Sequence, residues 1–262
     1  MIDFNKNTFG PSIMPAIPME DMPERSGDIP VVSIHEQLAE LGMPVESISV
    51  GLFDMIGEYT AKKQRGQDSE NFRKYGAFFR PNYERGMLIA ALIRKYRISS
   101  YLEIGFGRGY STLCAAMAMH EAGIAGKVVT VDPNFDETHM ANITKIFPPE
   151  WLRLIDLERK TSDEYFAQSK DKFEMIYIDG DHRYQAVLRD WHNSKDRAEK
   201  IILFDDYHLP GKRQKDMEVA NVVDAIQEYD KKLIKMDRRI FFDDRRMSYE
   251  ELDYGQVLIV KE

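Results

Sequence analysis

A single cysteine, Cys114, stands in 262 residues. The chain can therefore close no internal disulfide, which fits a reducing compartment. Cys114 lies among Leu113, Ala115, Ala116 and Met117 and reads as a small buried side chain and not a nucleophile. Long apolar runs are also missing: Met87–Ile93 is among the longest, far below the roughly 20 residues that cross a bilayer. The amino end lacks a basic-then-apolar signal pattern. Positive charge is outnumbered, with 36 Lys and Arg against 44 Asp and Glu and a net charge of -8, so no global basic field exists to hold a phosphate backbone. These absences predict a soluble, cytoplasmic protein with neither nucleic acid nor membrane as partner. The sequence has no internal repeat, and its 43% hydrophobic content supports one sizeable α/β domain with an appendage.

The first thirty residues hold Pro11, Pro15, Pro18, Pro23 and Pro30 without an apolar period and read as an extended arm, of a kind that can wrap a neighbouring copy in a homo-oligomer. Ser33-Ile-His-Glu36 is a capping-box pattern that starts a short helix through Leu38 and Leu41, ending at Gly42. Ile48, Leu52, Met55, Ile56 and Tyr59 recur at helical spacing, and Arg65 to Gly76 is a polar connector. No strand of the sheet is expected in residues 1–76, which are taken as an arm and helical cap. Residues 77–262 form the main domain. There strand-like and helix-like runs alternate, which calls for a mostly parallel sheet with helices on both faces. The expected strands are Tyr101–Ile104, Val128–Val131, Leu152–Asp156, Met175–Asp179 and Ile201–Phe204, then Ile240–Phe242 and Gln256–Val260. The rows Tyr184, Val187, Leu188, Trp191 and Val219, Val222, Val223, Ile226 read as core faces.

The first strand of the main domain runs into Glu103-Ile-Gly-Phe-Gly-Arg-Gly-Tyr-Ser111. Gly105, Gly107 and Gly109 allow a tight turn and close approach of the backbone to a ligand. A dinucleotide fingerprint needs G-x-G-x-x-G, but here the third glycine comes one residue early and Tyr110 takes its place, which disfavours NAD. Two acids point elsewhere. Glu103 precedes the loop and can face a cationic methionine end, while Asp132 closes the next strand and can accept two ribose hydroxyls. That pair suits S-adenosylmethionine.

On these residues, with Ile176-Tyr-Ile-Asp-Gly-Asp-His182 and Leu203-Phe-Asp-Asp206, the chain resembles the class I S-adenosylmethionine-dependent methyltransferases. Within them it is most similar to the small-molecule O-methyltransferases of the catechol type and of the metal-dependent sugar and macrolide type. The resemblance covers residues 80–262. It implies a Rossmann-like seven-stranded sheet whose two last strands make an antiparallel C-terminal pair. It also implies a cofactor site of Glu103, the three glycines, Tyr110, Ser111, Asp132, Ser162 and Asp179. The match at Ser162 is the looser one, because the glycine usually found two residues earlier is Lys160 here.

Strands in a sheet lie about 4.8 Å apart, so Asp179, Asp205 and Asp206 converge if the two strands that carry them are neighbours, as in this fold. Three carboxylates that close repel one another unless a cation joins them. An oxygen-rich cluster suits Mg²⁺, Mn²⁺ or Ca²⁺. The resembling enzymes bind metal at these positions, and an acid at Asp206 fits the sugar-type branch, although Asp206 could also serve only as a turn cap before Leu209. His182 stands where some macrolide-sugar enzymes carry a histidine base; Asp181 is the rival base, with a structural alternative as helix cap, and a third option is that neither acts. The expected acceptor is a small-molecule hydroxyl, sugar-containing or anionic, the anion read by Lys212, Arg213 and Lys215 if the loop 207–217 is a lid and not a plain solvated loop. A metal-independent methyltransferase acting on another acceptor, such as nitrogen, and a non-catalytic cofactor-binding subunit are the alternatives.

Overall fold

The computed structural model describes residues 28–48, 51–53, 55–57, 83–209, 218–236 and 254–261. Its centre is a parallel set of branched-aliphatic strands. β2 (Ser100–Ile104) lies between β3 (Lys127–Val131) and β5 (Phe173–Ile178), with β4 (Ile155–Glu158) outside β3 and β6 (Ala198–His208) outside β5. β8 (Tyr254–Val260) runs antiparallel to both β6 and β7 (Lys232–Lys235), and β1 (Val31–Ser33) adds parallel to β7 at the edge. The order is β1-β7-β8-β6-β5-β2-β3-β4. The Rossmann-like class and the antiparallel C-terminal pair hold, with eight strands among the described residues against the expected seven.

Two expected elements change. β1 puts a strand inside residues 1–76: Leu233 donates its N–H to Pro30 O at 2.8 Å, and Ser33 ends the strand while capping α1 (Ile34–Glu40) through the expected capping box with Glu36. The expected third strand, Leu152–Asp156, begins too early, because α4 (Glu137–Ile146) is followed by a one-turn helix, α5 (Pro149–Leu152), with Pro149 at its first position, and the strand follows at Ile155. Among the described residues, the strand that precedes β8 and pairs with it is Lys232–Lys235. Ile240–Phe242 lies outside the described residues, as do the arm 1–27, the connector 65–76, Tyr59 and loop residues 210–217. In the second expected helix, residues 51–53 and 55–57 are helical and bury Phe53 and Ile56, whereas Met55 is exposed.

Helices cover both faces. On one, α1, α2 (Tyr83–Tyr96) and α3 (Tyr110–Glu121) pack against Tyr101, Met175, Tyr177, Ile201 and Leu203. On the other, α6 (Ser162–Gln168), α7 (Tyr184–Ser194) and α8 (Val219–Ala225) pack against Leu102, Ile104, Ile176, Ile178, Ile202 and Phe204. Val187, Trp191, Val222 and Val223 are among the buried residues, as the helical spacing predicts. Each such side chain contributes roughly 1.5–3 kcal/mol by leaving water. Side chains alternate along a strand, so the faces fix which acids meet. Tyr177 and Asp179 share the α2 face, and so do Leu203 and Asp205. Among the described residues no helix is long and apolar enough to cross a membrane.

Candidate active site

The glycine loop turns between β2 and α3. Gly105 has φ 98°, and a Cβ there would lie 2.2 Å from Asp179 O and 2.9 Å from Gly180 Cα, so this turn packs directly on the β5–α7 turn. Gly107 has φ 50° with open space where its Cβ would be, which leaves the backbone approachable. Gly109 is the N-cap of α3, and Ser111 is buried in its first turn. Asp132, after β3, spans the loop: its Oδ2 accepts from Phe106 N at 2.9 Å and Gly107 N at 3.2 Å, and its Oδ1 from Asn134 N at 2.7 Å.

Glu103 lies beneath the loop, 1% exposed, and its Oε2 accepts from Thr112 and Thr130. Burial pushes its carboxyl well above the ordinary range. The side chain points toward α3 because it shares the face of Tyr101, and there it ties Thr112 of α3 to Thr130 of β3 beneath the loop. Tyr110 is similarly turned inward. Its hydroxyl and the Cys114 sulfur both crowd the position of a Cβ on Gly86 of α2, and burial raises the Cys114 thiol. Phe106 meets Phe135 edge-on at 6.3 Å, and the Arg159 guanidinium covers Phe135 at 4.2 Å.

Ser162 opens α6 behind a Thr161–Glu164 capping box, and its hydroxyl donates to Asp190 Oδ1 of α7. Sequence reasoning missed Asp190. Its carboxyl is buried beside Gly180, and burial raises it to about 7.

The acid cluster forms where β5 and β6 end side by side, but its internal pairing differs from the sequence expectation. Arg85 of α2 reaches between the acids. Its Nη1 donates to Asp179 Oδ2 at 2.9 Å, and its Nη2 contacts Asp205 Oδ2. Burial opposes charge on Arg85, yet Asp179 and Asp205 more than offset it and keep the guanidinium protonated. Burial likewise opposes ionisation of Asp179, but Arg85 and His182 hold its carboxyl below the ordinary value. Burial raises Asp205, whose side chain has no exposed surface, and Arg85 acts in the opposite sense. Asp205 Oδ1 also accepts from Gln256 Nε2 at 3.2 Å, an amide that donates to Tyr177 Oη at 3.1 Å as well.

Asp206 turns the other way. It lies inside β6, which continues to His208 and does not stop at Phe204, and its φ is 51° at a register shift in the β6–β8 ladder. Aspartate tolerates this left-handed backbone better than most residues, and the irregularity re-aims its carboxylate toward His182. His182 Nε2 stands 3.4 Å from Asp179 Oδ1 and 3.4 Å from Asp206 Oδ2. One ligand atom each from Asp179, His182 and Asp206 lies within 4.8 Å of the others, a spacing that one cation can bridge. Burial works against an imidazolium here, but the hydrogen bond to Asp179 and the charges of Asp206, Asp179 and Asp205 raise His182 to about 9. Asp181 is engaged elsewhere: it accepts Arg183 N at 3.1 Å and holds the Arg183 guanidinium. The N-cap of α7 is Arg183 and not Asp181, and Glu218 Oε2 accepts the Tyr184 N–H at 2.9 Å.

Residues 102–207 match a family model described as a methyltransferase domain. No curated protein matches the chain by sequence. Solved structures share the fold at low identity. One is the O-methyltransferase TomG from Streptomyces achromogenes, involved in tomaymycin synthesis and bound to S-adenosylmethionine; identity is 14%, over 70% of this chain and 82% of that one, with a TM-score of 0.51. Another is the O-methyltransferase from Bacillus cereus in complex with S-adenosylhomocysteine, at 15% identity over 87% and 97% and a TM-score of 0.53. A third is the S-adenosylhomocysteine-bound methyltransferase PaMTH1 from Podospora anserina, at 15% identity over 80% and 88% and a TM-score of 0.52.

Proposed function

We propose that this chain, whose residues 102–207 match a methyltransferase-domain model, is an S-adenosylmethionine-dependent methyltransferase that transfers the methyl group to a hydroxyl of a small molecule. The observation that carries this reading is the Gly105–Asp179 contact, which joins the glycine loop after β2 to the turn after β5 that carries Asp179 and His182. Ligands of open α/β sheets bind at that edge. Bound S-adenosylmethionine supplies a sulfonium methyl; the acceptor oxygen bonds to it as the sulfur–carbon bond breaks, leaving a neutral thioether. The Asp132 carboxylate and the loop amides bind and orient the nucleoside. His182 takes the hydroxyl proton at Nε2 once its own proton has left, and it is favoured over Asp181, which Arg183 occupies.

Asp179 and Asp206, beside His182, are suited in spacing and in donor type to a divalent cation, which would lower the pKa of the acceptor hydroxyl. Asp205 stands apart from that set. We further place the protein in the cytoplasm, where a single inert thiol fits, and assign the segment before residue 77, apart from β1 and α1, which belong to the sheet and its helical cover, to acceptor recognition or to contact with a second copy. A sugar-containing or anionic acceptor is proposed from the Lys212, Arg213 and Lys215 loop. Methyl transfer from labelled S-adenosylmethionine to a panel of catechols, sugars and glycosylated compounds, with amines alongside, tests the reading. Product on hydroxyls supports it, and product on amines alone contradicts it.

A further inference from the structure

We propose that Arg85 is the resident cation of the acid cluster and limits how tightly the site takes a divalent ion, because it holds Asp205 out of the ligand set. The inference rests on the reading that Asp179 and Asp206 hold such an ion. Three acids at two neighbouring strand ends need a positive charge between them, and the chain supplies one from α2, outside the matched residues 102–207. The Asp179 carboxylate is divided. Its Oδ2 takes Arg85 on one side, and its Oδ1 faces His182 and Asp206 on the other.

Asp205 is committed to the Arg85 side. Its Oδ2 contacts the guanidinium, its Oδ1 accepts from Gln256, and its side chain has no exposed surface. An ion bridging Asp179 and Asp205 would have to occupy the space of the guanidinium. An ion bridging Asp179 and Asp206 meets no such obstacle but lies next to a fixed positive charge and has lost a third carboxylate. Both effects weaken binding, since affinity for hard cations follows the charge and number of oxygen ligands. Arg85 also removes any need for metal to hold this corner together: a buried acid left unpaired is strongly destabilising, and the guanidinium prevents that.

The test is Mn²⁺ binding, followed by the paramagnetic resonance of free Mn²⁺, with S-adenosylhomocysteine affinity measured on the same samples as the check on fold and cofactor site. Arg85→Gln should bind Mn²⁺ at least about tenfold more tightly than the wild type, because Asp205 becomes a ligand and a neighbouring charge is gone. Adding Asp205→Asn to Arg85→Gln should return most of that gain. If Arg85→Gln does not fold, the comparison moves to Asp205→Asn with and without Arg85→Gln, where loss of the guanidinium should still tighten Mn²⁺ binding. Variants that keep S-adenosylhomocysteine affinity yet bind Mn²⁺ no better without Arg85 overturn the inference. Absence of S-adenosylhomocysteine binding in the wild type would instead count against the methyltransferase reading.

Discussion

A Cβ on Gly105 would lie 2.2 Å from the carbonyl oxygen of Asp179, so the glycine loop and the acid-bearing end of β5 meet with no room for a side chain. Gly105→Ala must push the two turns apart, disturbing loop and acid cluster together. Gly107→Ala meets open space, and its cost is the left-handed backbone alone, about 1–2 kcal/mol. Thermal melts should show Gly105→Ala as clearly the less stable of the two. Equal stability would mean that the two turns are not in contact.

His182 is the expected proton acceptor; Asp179 and Asp206 raise its imidazole to about 9 while no cation joins them, and a cation there would lower it. The imidazole accepts a proton only when neutral, so turnover should rise with pH through its deprotonation, at about 9 or below, without a fall on the alkaline side of neutrality. His182→Ala should lower kcat by about 10²–10⁴-fold, the usual share of a general base. The deficit should shrink at high pH, where the acceptor hydroxyl ionises unaided. A fully active variant would remove the histidine from the chemistry.

Asp190 should make stability depend on pH. Burial raises its carboxyl from 3.8 to about 7. A group whose folded value lies above its unfolded one contributes stability that is fully present below the unfolded value and is lost as pH rises through the folded value. Melting temperature should therefore fall between about pH 4 and 7 and level off above. Asp190→Asn keeps an oxygen that can accept from Ser162 but cannot ionise. It should flatten that slope and melt higher than the wild type at pH 8, by an amount on the order of a few kcal/mol at most. An unchanged slope in the variant would show that Asp190 titrates normally.

The loop residues Gly105 to Gly109 and the acid Asp132 were legible in the sequence because each is a local signal: a left-handed turn favours glycine, and an acid closing the next strand stands where it can accept from the loop amides. The capping box at Ser33 was legible for the same reason. Arg85 was not, because its partners lie 94 and 120 residues away along the chain; the available hint was a charged residue one turn before Leu88 and Ile89 on a buried helix face. Strand alternation places Asp205 on the Arg85 face, but the left-handed turn that sends Asp206 toward His182 comes from a ladder irregularity that no local pattern announces. β1 is only three residues long, and β7, Lys-Leu-Ile-Lys, hides its apolar pair between lysines. Both are strands by virtue of their neighbours.

The measurement closest to the central claim is calorimetric titration with S-adenosylhomocysteine, set beside NAD. S-adenosylhomocysteine should bind saturably at one site per chain, and NAD should not bind. Asp132→Ala should weaken that binding by about 1–3 kcal/mol, the scale for losing hydrogen bonds to a charged acceptor. Binding of NAD in preference, or S-adenosylhomocysteine affinity indifferent to Asp132, would contradict the assignment of this loop to S-adenosylmethionine.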